Sequence, residues 1–89
     1  MRITFDPAKR AVTLAERGLD FARATDGFAD RHLTARDLRH GEEERFITLG
    51  FLDGRMVVLV WTLRGRSRRV ISMRKANARE QARFASRLA

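Results

Sequence analysis

The chain has 89 residues and a formal net charge of +8; with 44% hydrophobic residues it can bury one small core but not two. It has no cysteine, which excludes disulfides and thiolate metal sites. Its longest apolar run, Met56 to Trp61, is far too short to span a bilayer, and Asp6 and Lys9 interrupt any apolar signal core, so the sequence reads as a single soluble domain over 1–89, cytoplasmic and without a membrane partner. The charge is lopsided. Residues 55–89 carry ten arginines and lysines against the single acid Glu80, whereas residues 1–54 carry nine basic and ten acidic side chains. Such a field concentrates polyanions, which makes nucleic acid the first partner to consider.

In chain order, Asp6-Pro7 predicts a helix start, with Asp6 as the cap and proline at the first helical position. Ala8, Ala11, Val12, Leu14 and Ala15 form an apolar stripe at helical spacing, and Gly18 is placed to end the helix in a left-handed cap. Asp20 opens a second short helix with Phe21, Ala24 and Phe28 on one face. A short strand near His32 to Thr34 precedes a charged stretch through Glu44. From Arg45 the period becomes two: Arg45 to Leu52 and Arg55 to Leu63 predict a hairpin about Asp53-Gly54. That turn sets Phe51 opposite Met56, Leu49 opposite Val58, Ile47 opposite Val60, Phe46 opposite Trp61 and Thr48 opposite Leu59. Both faces of Met56 to Trp61 are apolar, as in a central strand covered on two sides. A last strand, Ser67 to Arg74, places Val70 and Ser72 on one face and Ile71 and Met73 on the other if it is regular. Asn77 and Glu80 form a capping box for a closing helix with Gln81, Phe84, Ala85 and Leu88 at helical spacing. The expected fold class is α+β: two N-terminal helices, an antiparallel meander of three to four strands, and a C-terminal helix.

Four motifs in order resemble a known family. Phe5-Asp6-Pro7-Ala8-Lys9 is similar to its opening aromatic-Asp-x-x-Lys, and Arg17-Gly18-Leu19-Asp20-Phe21 with Ala24 to its glycine-centred block. Asp37-Leu38-Arg39-His40 with Glu44-Arg45 and Gly50, then Ile71-Ser72-Met73-Arg74-Lys75-Ala76 with Glu80, resemble its two later blocks. The chain thus resembles the BrnT toxins, the ribonuclease half of a bacterial type II toxin–antitoxin pair, although Thr13 and the residue before Gly18 depart from the family pattern. The resemblance implies a RelE/ParE-like toxin fold, RNA as substrate, cleavage that halts translation, and neutralisation by a BrnA-like antitoxin. It also implies that operator DNA is bound only through the antitoxin complex.

Cleavage of RNA without a metal or other cofactor proceeds by attack of a ribose 2′-OH on the adjacent phosphorus. It needs a base, cations for the charge developing on phosphate, and an acid for the leaving 5′-oxygen. Arg74 is the first candidate for a phosphate clamp, because a guanidinium donates two parallel bonds to phosphate oxygens. Arg39, Arg69, Lys75 and Lys9 are candidates for RNA contacts, although regular alternation puts Arg69 on the opposite face from Arg74. The chain contains no tyrosine, and arginine does not release its proton, so His40, with a pKa near neutrality, is the natural base. Glu44 is a second candidate base, or else a partner that orients Arg45 or Arg39, and Arg45 stands with Arg74, His40 and Glu44 among the candidate catalytic residues. Trp61 with Phe46 offers either a base-stacking surface or core filling. The spacing of Glu42-Glu43-Glu44 and His40 matches no metal-ligand motif, so no metal site is expected. Two other functions fit the same charge: a module that grips RNA or DNA without cutting it, and an interaction subunit whose basic face receives an acidic or amphipathic partner segment.

Overall fold

A computed structural model describes residues 1–37 and 43–88. Strand β1 (Arg2–Phe5) leads into helix α1 (Pro7–Arg17); a 3-10 turn (Phe21–Arg23) runs into helix α2 (Ala24–Ala29). Strands β2 (Leu33–Asp37), β3 (Arg45–Leu52), β4 (Arg55–Arg64) and β5 (Ser67–Lys75) follow, and helix α3 (Ala78–Leu88) closes the chain. The five strands form one mixed sheet in the order β1-β5-β4-β3-β2. The domain is therefore α+β, and β2 to β5 form the expected antiparallel meander. The strand β1 was not expected: it adds a parallel edge beside β5, pairing Arg2 with Ser67 through Phe5 with Val70.

The local signals act where the sequence places them. Asp6 accepts a bond from the Ala8 N–H at 2.9 Å, Pro7 opens α1, and Gly18 closes it at φ +69°. Asp53 and Gly54 both take positive φ in the β3–β4 turn, and the register is the one expected from that turn, from Phe51 opposite Met56 to Phe46 opposite Trp61. The capping box forms on both sides: Asn77 Oδ1 accepts from the Glu80 N–H at 2.8 Å, and Glu80 Oε1 accepts from the Asn77 N–H at 2.9 Å.

The core lies between the inner face of the sheet and the N-terminal helical segment. Val57, Leu59, Trp61, Val70 and Met73 pack with Leu19, Phe21 and Ala24. Here α2 sits directly on the sheet. A Cβ on Gly50 would lie 2.3 Å from the Gly27 carbonyl oxygen, so only glycine fits at that crossing. Helix α1 does not join this core. The expected apolar stripe of Ala8, Ala11, Val12, Leu14 and Ala15 is exposed, and no residue of α1 is buried. Polar contacts hold the helix instead: Arg10 grips Asp20 at 2.7 and 3.0 Å, and Arg17 donates to the Met73 carbonyl at 2.8 Å. The Arg10 guanidinium holds the Asp20 carboxyl down at about 2, and the Ala22 N–H adds to this.

Strand β5 is not regular. Ser72 lies opposite Val60 but Val70 lies opposite Trp61, so Ile71 is an extra residue in a bulge. The bulge resets the alternation, and Val70 and Met73 both enter the inner core at 2% and 0% exposure, contrary to the expected split. On the outer face α3 covers one end of the sheet through Phe84, the one buried α3 residue among those described, whose ring lies 5.3 Å from that of Phe51. Gln81 and Ala85 are exposed. No helix is long and apolar enough to cross a membrane.

Candidate functional site

Cross-strand partners share a face, so the register maps the outer surface row by row. One row runs Asp37, Arg45, Thr62, Arg69. The next runs Ala35, Ile47, Val60, Ser72, and the third Leu33, Leu49, Val58, Arg74. Arg69 and Arg74 therefore stand on one face. Without the bulge at Ile71 they would be on opposite faces, as regular alternation predicts. With strands about 4.8 Å apart and about 3.3 Å per residue, Arg45 and Arg69 are roughly 10 Å apart at Cα, and Arg69 and Arg74 roughly 15 Å. The three cations frame a half-buried floor of Ile47, Leu49, Val60 and Ser72, and Arg83 and Arg87 of α3 line the groove beside it.

Each cation has a different state. Arg74 meets Glu80 through two parallel bonds, Nη1 to Oε1 at 2.8 Å and Nη2 to Oε2 at 2.6 Å, so its fork is not free as expected. The same guanidinium holds the Glu80 carboxyl below the usual carboxylate range, so Glu80 is ionised at neutral pH and is no proton donor. Arg45 pairs with Glu43 at 3.2 Å, and Glu43 reaches Arg64 at 2.8 Å. Arg69 is half-buried and forms no ion pair among the described residues. Thr62 donates its hydroxyl to the Glu44 carbonyl at 2.6 Å, which ties the start of β3 to this face.

The other expected residues divide. Glu44 pairs with Arg36 at 3.1 Å and not with Arg45; the partner of Arg45 is Glu43. Glu43 stands in a bend two residues before β3 begins at Arg45, so no strand periodicity marks it in the sequence. Trp61 is not a stacking platform. It is 6% exposed, donates its indole N–H to Thr48 at 2.8 Å, and lies between Phe46 and Phe28 on the inner face. Lys9 is exposed on α1, which packs against the 3-10 turn and the edge of β5, and it neither lines the outer groove nor meets Arg69 or Arg74 among the described residues. Lys75 is exposed at the end of β5. Arg39 and His40 lie outside the described residues, in the connection from Asp37 to Glu43. His32 bonds locally to the Asp30 carbonyl at 2.8 Å. Among the described residues no group of three or more His, Cys, Asp or Glu side chains is placed to hold a metal ion.

A sheet face with three arginines over an apolar floor suits an extended polyanion with planar groups. Residues 5–80 match the family model described as the ribonuclease toxin BrnT of type II toxin–antitoxin systems. The chain belongs to the BrnT toxin family. It is thus a ribonuclease toxin of a type II system by family, and such a toxin has an antitoxin partner. No curated protein matches the chain. The BrnT match begins at Phe5 and ends at Glu80, so it takes in the α1 cap, the hairpin, the bulge and the carboxylate that engages Arg74.

Proposed function

We propose that this chain is a metal-independent endoribonuclease with a RelE/ParE-like toxin fold, which cuts RNA on the outer face of its sheet, halts translation, and is neutralised by a BrnA-like antitoxin. The observation that carries the reading is the Ile71 bulge, which brings Arg69 and Arg74 to one face with Arg45. On that face the RNA strand lies across Ile47, Val60 and Ser72. Arg69, the one of these three cations without an ion pair among the described residues, takes the phosphate on which negative charge develops as the 2′-oxygen attacks. Arg45, steadied by Glu43, binds a neighbouring phosphate. Arg74 enters when phosphate replaces the Glu80 carboxylate, an exchange of one bidentate anion for another. His40, in the connection between Asp37 and Glu43, is the proposed proton carrier: neutral it accepts the 2′-OH proton, and charged it protonates the leaving 5′-oxygen. Glu44 then serves through its backbone, holding Thr62. Operator DNA is bound only through the antitoxin complex, and the site of action is the cytoplasm.

The test is cleavage of a defined RNA by purified protein in excess chelator, with the product ends analysed. The expected result is a 2′,3′-cyclic phosphate and a 5′-hydroxyl, with loss of cleavage in Arg69→Ala and His40→Ala. RNA that is shifted but never cut would replace this reading with that of a binding module.

A further inference from the structure

The parallel strand β1 stops at Phe5 opposite Val70, so β5 from Ile71 to Lys75 has no strand on that side. An edge of this kind exposes unpaired carbonyls. Here Arg17, in the last turn of α1, donates Nη1–H to the Met73 carbonyl at 2.8 Å. That one bond fixes the guanidinium over the bare edge and leaves most of its five N–H groups free, since Arg17 forms no ion pair among the described residues. Lys75 is exposed beside it and likewise unpaired among the described residues. Arg17, Lys75, Arg74 and the acid Glu16 line one shallow cleft of about 330 Å³. Arg74 also lines the groove of the outer face, so the cleft and the groove meet at its side chain.

We infer that Arg17 and Lys75 form a second phosphate seat, which holds the backbone of a single-stranded RNA as it passes Arg74 and rounds the edge of β5. The seat rests on the reading of the outer face as the RNA-cleaving surface and extends its footprint by residues on the other side of the strand. Arg17 is held before RNA arrives, so little side-chain freedom is lost on binding. Glu16 opposes the anion and moderates the affinity.

Anisotropy with labelled, non-cleavable 2′-deoxy-substituted RNA of four and twelve nucleotides tests the seat, across a salt series. Arg17→Ala and Lys75→Ala are each expected to weaken twelve-nucleotide binding roughly three- to tenfold and to flatten the log–log salt slope by about 0.7, the value for one lost phosphate contact on a single strand. Binding of four nucleotides stays at the wild-type level, and Glu16→Gln tightens the longer strand. Should Arg17→Ala fail to fold without its bond to Met73, Lys75→Ala and Glu16→Gln decide the matter, because neither side chain holds a structural contact among the described residues. Wild-type cleavage with unchanged affinity and slope in these variants overturns the seat alone. Wild-type protein that neither binds nor cuts RNA overturns the seat together with the nuclease reading.

Discussion

On its inner face the sheet presents Val57, Leu59, Val70 and Met73 to Phe21 and Ala24, and the fit is close enough that Gly27 and Gly50 touch backbone to backbone. On its outer face the same strands carry Thr62, Ser72, Arg45, Arg69 and Arg74; Phe84 covers one end, Asp37 and Thr62 are buried at the other, and the floor between is half-buried. The two faces divide the labour. Apolar burial on the inner face supplies the stability and offsets the repulsion among the outer-face cations, two of which are also paired with Glu43 and Glu80. The single residue that sets this division is Ile71: without its bulge, either Met73 or Val70 would leave the core and Arg69 would leave Arg74.

The largest effects should fall on the inner face. Leu59→Ala is expected to cost about 2–5 kcal/mol in urea unfolding, with cleavage per folded molecule preserved. A cost below about 1 kcal/mol would show that the inner face is not the source of stability. Next comes the outer face, with the opposite signature: Arg69→Ala should cut the cleavage rate roughly a hundredfold, as for loss of one donor to a developing anion, while stability stays within about 0.5 kcal/mol. Loss of stability without loss of rate would break the comparison from the other side.

Asp20→Ala should cost about 1 kcal/mol at neutral pH, because Asp20 caps the 3-10 turn and receives Arg10. Its carboxyl is held at about 2 in the folded chain, below the unfolded value near 4, so its contribution is complete above that unfolded value and lost as pH falls through about 2. Wild type and variant should therefore differ in melting temperature at pH 7 and converge toward pH 2. A comparable effect on stability, about 1 kcal/mol, is expected for Trp61→Phe, which leaves Thr48 without the indole donor, and no change in RNA affinity. Weakened RNA binding there would return Trp61 to the interface.

Much of the fold was legible because local chemistry dictated it. Asp6-Pro7, Gly18, Asp53-Gly54 and Asn77-x-x-Glu80 each place a cap or turn whose geometry few other residues satisfy, and the hairpin register follows from turn length alone. What stayed hidden depends on distant partners. The strand Arg2–Phe5 is four residues long and exists only because β5 offers it an edge. Helical spacing in α1 marks an apolar stripe, yet the helix turns Arg10 and Arg17 to their partners and leaves Val12 in water. The bulge at Ile71 has no glycine to announce it, and it decides which arginines share a face. In the site, Arg74 and Arg69 were legible as residues but not as neighbours. Glu80 was legible as a cap but not as the carboxylate engaging Arg74, because a bond across six residues of strand and helix depends on where α3 docks.

The central claim is that the outer face, from Arg45 across Val60 and Ser72 to Arg69 and Arg74, is where RNA lies. The most direct measurement is backbone amide shift mapping by NMR, titrating the protein with a non-cleavable RNA strand. The largest shifts are expected at Ile47, Val60, Thr62, Arg69, Ser72 and Arg74, with little change at Phe21, Ala24 and the exposed Ala11 and Val12. Shifts centred on α1 and the 3-10 turn, with Arg69 and Ser72 unmoved, would contradict it.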